Sequence, residues 1–448
     1  MQPTSAESCG GNERSIKALF PQLGTMEWLI NQLDKMRVVL VSCVFPPEPL
    51  TSASTSHSLA WELTRRGHDV TVITSYPSRP GGQVLSGFRR HLFGHLEREN
   101  GIEIVRCFST TSRNSTLLSR LAENLSFGFC AGLAVARVRR PDVIYANTWP
   151  IFAAGIASWI ARVRHVPIVL SIQDVYPESL ISLKKLNPGT SLARLLRWLD
   201  ARIARIASAV VVISESAEVI YSHDREIPQE RIHLIANWRT MENQAPVGIA
   251  RQQRKLWGIQ TDAFLVVFAG NVAAACGIES VIGTVSGLGD DSLVRLVIAG
   301  SGSALERCRS IARPHKSGSV KFSGPFLANE TLAILSAGDI LILPTQGDQS
   351  LVCMPSKLIS YMMSGRPVLA VARLDSDLAR VVNEAGCGWV VEPGESEELV
   401  RQLGIIVATE PSKLTRMGLL GRQYALTHFS TEACLPKLVA VIENAARG

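Results

Sequence analysis

Residues 339–372 read DILILPTQGDQSLVCMPSKLISYMMSGRPVLAVA, and this stretch decides the fold. Ile340 to Leu343 are an unbroken apolar run, as a strand buried on both faces requires. Pro344 ends the strand, because proline has no N–H to give a sheet ladder. A polar loop follows, Thr345 to Ser350. Pro355 suits the first position of a helix, which puts Ser356 and Lys357 in its first turn. Gly365 closes that helix, and Pro367 to Val371 open the next strand. Ser356 and Lys357 therefore stand where a helix start meets the carboxyl end of a parallel sheet. Free N–H groups and the positive dipole end make such a place an anion site. Lysine is unfavourable at a positive helix end, so its presence implies an intervening phosphate. The same residues also suit a solvated lysine on an ordinary strand–loop–helix unit.

The alternation extends outward in both directions. At 448 residues the chain is long for one core, and two domains are expected. Hydrophobic residues make up 46% and charged residues 19%, as in an ordinary globular α/β protein. Nine cysteines, scattered and without a C-x-x-C pair, argue against a disulfide framework or a zinc site and for a reducing cytosol. A formal charge of +7 is too mild to indicate nucleic acid. The longest apolar runs, near 125–136 and 149–161, are too short to span a bilayer, so a soluble or peripheral protein is expected. Residues 1–35 are polar and patternless, and read as an extension with Met36 as the functional start. A short amphipathic helix over Met26 to Leu33 is the alternative.

From Met36 the order is strand (Arg37 to Cys43), loop (VFPPEPLTSASTS), helix (HSLAWELTRRG) and strand (HDVTVIT). This is a βαβ unit of a parallel doubly wound sheet. The loop offers hydroxyls from Ser52, Ser54 and Thr55, as donors or merely as a polar loop with a helix cap. Between Tyr76 and Arg140 arginines dominate, with Phe88, Leu92 and Phe93 interleaved near Arg89 and Arg90. Such a surface suits anionic lipid, or is an ordinary solvated face. Val143 to Ala146 form a buried strand with Asn147 to Trp149 at its end. Ile168 to Ile172 form another, and Gln173, Asp174 and Glu178 then fall where an open α/β sheet places its site. A capping aspartate with a structural glutamate is the alternative there. Leu186 to Ala207 read as a packed amphipathic helix, and NQAPVG as a linker. The alternation restarts with a strand ending at Gly270 and Asn271, then one ending at Gly300, Ser301 and Gly302 before a helix. A lone Gly-x-Gly is weak, but this setting is the right one.

PSKL, then YM, SGRPVLA and EAGCGWVVEPG with SEEL, resembles the donor half of a retaining glycosyltransferase of family 4, GT-B fold. More narrowly it is similar to the branch that builds O-antigen, colanic acid and other cell-surface polysaccharides. The resemblance covers nearly everything from Met36 onward. It implies an α/β protein of the GT-B fold, two doubly wound Rossmann-like domains facing a central cleft. Expected limits are 36–236 for the acceptor-side domain, 237–430 for the nucleotide-sugar domain, and 431–448 for a helix crossing back. The implied reaction moves a sugar from a nucleotide diphosphate sugar to a lipid-linked saccharide with retention, without a metal or other cofactor. The enzyme would be cytoplasmic, at the inner face of the cell membrane, in peripheral contact with anionic lipid.

Carried over residue by residue, the donor site comprises Asn271, Gly277, Gly300, Gly302, Gly324, Pro325, Phe326, Pro355, Ser356 and Lys357. Ser52, Ser54, Thr55, Asn147 and Glu178 would face the acceptor. Gln173, Asp174 and Lys357 would be catalytic. The chain departs from the family in four places. Thr51 to Thr55 replace the usual Gly-Gly pair, Gln173 replaces a histidine, and no basic residue follows Asn271 near Ala275. Val352 and Ser360 replace a pair of glutamates. The missing glutamates and basic residue leave open a degenerate binding or scaffold subunit. The shared fold leaves open a nucleotide-sugar 2-epimerase, which would want carboxylates deep in a cleft that is poor in them.

Overall fold

A computed structural model describes residues 35–448 apart from 80, 92–94, 113–115, 149–150, 241–245, 247, 290–291 and 314–317. Leu92, Phe93, Arg113, Trp149, the Met26–Leu33 helix, nearly all of the 1–35 extension and most of NQAPVG lie outside the described residues.

The strands form two sheets. The first contains β1 (Arg37–Val41), β2 (Asp69–Ser75), β3 (His95–Glu99), β4 (Ile102–Cys107), β5 (Val143–Asn147), β6 (Ile168–Ile172), β7 (Ala209–Val212) and β8 (Ile232–Leu234). Their order is β3-β4-β2-β1-β5-β6-β7-β8, parallel except for β3 against β4. The second contains β9 (Phe264–Ala269), β10 (Val294–Ala299), β11 (Val320–Gly324), β12 (Ile340–Pro344), β13 (Val368–Val371) and β14 (Gly388–Val391). It is parallel throughout, in the order β11-β10-β9-β12-β13-β14. In each sheet the strand order reverses beside the first strand, between β1 and β5 and between β9 and β12. Open α/β sheets form their ligand crevices at such switch points.

Burial explains the strand sequences. All five residues of β5, β6 and β12 are buried, which is why they are apolar apart from Asn147 in β5 and Ser171 in β6. Two core clusters flank each sheet. The helix Thr431–Arg447 places Leu435, Leu438, Val439 and Ile442 in the cluster built on β1 and β2 of the first sheet. The two sheets meet at their carboxyl ends. Ser216, after β7, donates its N–H to Asp377 Oδ2, after β13, at 3.1 Å. Arg380 reaches Glu215 across the same gap at 3.1 Å.

Local departures from the sequence reading have physical causes. Thr51 to Ser56 are not a loop; they form the first turns of a helix, Thr51–Arg65. Thr55 Oγ1 donates to Ser52 O at 3.2 Å and Ser54 Oγ to Leu50 O at 3.4 Å, so these hydroxyls are spent on the helix itself. The amphipathic helix expected from Leu186 starts later, at Ser191, with Thr190 as its cap. The arginine-rich stretch is paired only in part: Arg89, Arg90, Arg137, Arg139 and Arg140 are exposed. Arg79 pairs with Glu123, Arg98 with Glu103, and the buried Arg106 with Glu97 at 2.9 Å. Among the described residues no helix is long and apolar enough to cross a membrane.

Candidate functional site

Three turns interlock at the carboxyl ends of β9, β10 and β12. Gly270 has φ +132° and Gly300 φ +141°, both in the region that favours glycine. A β-carbon on Gly300 would stand 1.9 Å from Gly270 O, and one on Gly302 2.2 Å from Val272 O. Gly277, at φ +62°, lies so close to the β12 turn that its β-carbon would be 2.7 Å from Thr345 O. Hydrogen bonds hold this contact. Val272 N donates to Ser301 O at 2.9 Å, Gly300 N to Gly324 O at 2.7 Å, and Gln346 N to Ala275 O at 3.3 Å. Asn271, Gly277, Gly300, Gly302 and Gly324 are thereby brought together. Pro325 and Phe326 continue from Gly324, Pro325 exposed and Phe326 partly buried against the second-sheet core.

The helix after β12 runs Lys357–Met363, two residues beyond Pro355. Ser356 sits at its cap but makes no capping hydrogen bond with its side chain. Lys357 is the first helical residue, and its stem crosses Gly270. Its Nζ lies 3.2 Å from Asn271 O, 3.4 Å from Cys276 Sγ and 5.1 Å from the centroid of Phe268. The ammonium thus occupies the turn where the sequence lacks its expected basic residue. Arg366 points elsewhere, donating to Ser336 O.

Sequence reasoning missed Tyr361, whose buried hydroxyl accepts from Ala269 N at 2.8 Å and donates to Ala269 O at 3.0 Å. It pins the end of β9 beneath Lys357. Its spacing of four from Lys357, one helical turn, is the signal that places both on one face.

Across the gap, Gln173 and Asp174 follow β6. Gln173 Nε2 donates to Ser171 Oγ at 2.9 Å, and Gln173 Oε1 accepts from Asn237 Nδ2 at 3.0 Å. Its head group is therefore fixed by the segment that leads to the second sheet. Asp174 has no hydrogen-bond or ion-pair partner among the described residues, and burial raises its carboxyl above the usual range. Its charge also raises the thiol of Cys353, which burial chiefly pushes up to about 12, while Lys357 lowers it. Asp174 and Lys357, one from each half of the chain, thus act on the Cys353 thiol with opposite sign.

Two expected acceptor residues are occupied within the fold. Asn147 is buried: its Nδ2 donates to Ser42 Oγ at 3.0 Å and Ser56 Oγ at 3.2 Å, and its Oδ1 accepts from Tyr145 at 3.1 Å. It ties the ends of β1 and β5 together. Glu178 accepts from Arg197 Nε at 3.1 Å and from Arg225 at 2.6 Å. Both of its oxygens are committed to arginines. Ser52 lies half-buried in the first turn of its helix.

This geometry can hold an anion against Lys357 and the glycine turns, with an unpaired carboxylate opposite. Known proteins resemble the chain in sequence and in fold. Probable glycosyltransferase WbjE of Pseudomonas aeruginosa is 23% identical over 75% of this chain and 82% of its own length. The putative colanic acid biosynthesis glycosyl transferase WcaI of Escherichia coli K12 is 24% identical over 82% of this chain and 90% of its own. The crystal structure of Anabaena HepE in complex with UDP superposes with a TM-score of 0.66 at 14% identity, covering 91% of this chain and 100% of that one. The family model for a glycosyl transferase 4-like domain matches residues 52–238, and that for glycosyl transferases group 1 matches residues 263–408. With these two domain models covering most of its length on two facing, largely parallel sheets, the chain belongs to the GT-B-fold glycosyltransferases.

Proposed function

We propose that the chain transfers a sugar from a nucleoside diphosphate sugar to a lipid-linked saccharide, with retention, during the building of a cell-surface polysaccharide. Lys357 carries this reading: its ammonium stands over the Gly270–Asn271 turn, among backbone packed too tightly for any β-carbon. A diphosphate leaving group gains negative charge as the sugar departs. A fixed cation in a shielded turn stabilises that charge where it develops. Relatives named for glycosyl transfer and colanic acid biosynthesis, and a similar fold holding UDP, support the donor class and the pathway type. Retention fits a reacting end where Gln173, which cannot act as a base, is locked between Ser171 and Asn237. Asp174 is the carboxylate placed to meet a sugar or acceptor hydroxyl. Work on a lipid-linked acceptor places the enzyme at the cytoplasmic face of the membrane.

Calorimetric titration of UDP and GDP into the parent protein and Lys357→Ala tests the reading. A charge-assisted contact to phosphate is worth roughly 1.5–3 kcal/mol, so affinity should fall by about tenfold or more. Equal affinity in a folded Lys357→Ala would move the phosphate site elsewhere. Binding of neither nucleotide by the parent would favour a binding subunit over an enzyme.

A further inference from the structure

Three helices cover one side of the first sheet: Leu117–Arg137, Ile151–Val163 and Ser191–Ile206. Their inner faces are ordinary core, with Phe127, Ala131, Ala157 and Ala204 in one cluster. Glycines bring the helices close. A β-carbon on Gly132 would stand 2.3 Å from Ile156 Cγ2, and one on Gly155 3.0 Å from Ile203 Cδ1. The three helices therefore form one continuous layer.

The outside of that layer is apolar. Leu118, Leu121, Leu125, Phe129 and Leu133 recur at three- and four-residue spacing on the first helix, a stripe about 22 Å long. Trp159 and Val163 continue it on the second helix, and Leu192, Leu195 and Trp198 on the third. Ten of the twenty-two exposed large apolar side chains among the described residues lie here, so the patch is a concentration and not scatter. Leu118 is 78% exposed, Phe129 64% and Trp159 63%.

Charge selects the occupant. The only acidic residues in these helices are Glu123 and Asp200, both buried and both paired with arginine. The exposed charges are Arg137, Arg162, Arg194, Arg202 and Arg205, of which Arg205 is paired with Glu226. Lys184 and Lys185 and Arg139 and Arg140 flank the layer and are exposed. Arg202 also lies 5.8 Å over the ring of Trp198. A second copy meeting this face through a two-fold axis would set arginine against arginine. A bilayer surface with anionic headgroups accepts both parts: tryptophan and leucine enter the interface while arginine meets phosphate.

We propose that this three-helix face docks the protein on an anionic phospholipid membrane. Each helix starts at the carboxyl end of its preceding strand, so the docked face reaches the rim of the cleft on the first-sheet side. The inference deepens the reading of a lipid-linked acceptor, and its test needs neither acceptor nor donor.

The full chain is sedimented with vesicles of phosphatidylcholine alone or mixed with phosphatidylglycerol. Binding is expected only with phosphatidylglycerol, and it should weaken as salt rises. Phe129→Ser with Trp159→Ser should lower vesicle affinity by about tenfold or more. Arg137→Glu with Arg162→Glu should do the same and flatten the salt dependence. All of these side chains are exposed, so melting temperature and UDP affinity should match the parent. No binding to phosphatidylglycerol vesicles by the parent overturns the proposal, as does unchanged binding in both double variants. A parent dimer in sedimentation velocity that the serine variant dissociates, without vesicle binding, would assign the face to a second copy and also overturn it.

Discussion

Lys357 and Gly270 share one space: a β-carbon on Gly270 would lie 2.6 Å from Lys357 Cε. The glycine is required twice, for its φ of +132° and for the lysine stem that crosses it. Gly270→Ala should therefore displace the ammonium and weaken nucleoside diphosphate binding by about tenfold. Adding Lys357→Ala to it should cost little more, because both changes remove one contact and neighbouring effects are not additive. Calorimetry on the two single variants and the double variant measures this. Fully additive losses would show that Gly270 acts on the donor independently of Lys357.

Lys357 was legible because its context is local. The strand, the prolines, the lysine and the closing glycine lie within 339–372, and each obeys a short-range rule. The Gly-x-Gly turn at Gly300 was legible for the same reason. Glu178 was not, because Arg225 lies 47 residues further on and no periodicity links them. Asn147 looked like a free amide at a strand end, but Ser42, 105 residues away, consumes it. Thr51 to Ser56 looked like a loop because serine and threonine are weak helix formers. The burial of Ala53, Leu59 and Leu63 against the sheet overrides that preference. The leucines from Leu118 to Leu133 stand at helical spacing, but spacing alone does not say whether a stripe faces core or solvent.

Asp377 and Ser216 join the two sheets beside the cleft, with Arg380 and Glu215 as a second link. These contacts belong to neither the glycine turns nor Lys357. Asp377→Ala should leave nucleotide affinity unchanged, since the donor turns lie wholly in the second sheet. It should lower kcat/KM on the order of tenfold, because a small misplacement of the two halves spoils the reacting geometry. Small-angle scattering should show a larger radius of gyration without ligand. An unchanged radius together with unchanged turnover would mean that the link does not set closure.

Among the described residues Arg225 is the largest fully buried side chain, at 1% exposure, and it balances two carboxylates. It donates to Asp200 Oδ2 at 2.8 Å, to Glu178 Oε2 at 2.6 Å and to Tyr176 O at 2.8 Å. Tyr221 donates to the other Asp200 oxygen at 2.9 Å. Replacing Arg225 with methionine leaves the buried Asp200 carboxylate without its cation, a change that typically costs about 3–5 kcal/mol. Melting temperature should fall sharply, whereas Arg197→Met, on a half-exposed partner of Glu178, should change it little. Burial pushes the Asp200 carboxyl from 3.8 up to about 6, against the lowering by Arg225 and Tyr221. Between those values the folded chain holds more protons than the unfolded chain, so stability from this group is present below pH 3.8 and is lost as pH rises through about 6. Asp200→Asn removes the titrating group and should flatten that part of the stability–pH curve relative to the parent. Urea unfolding of both proteins across this range gives the two slopes. Equal slopes would show that Asp200 stays ionised throughout, held down by Arg225 more strongly than burial lifts it.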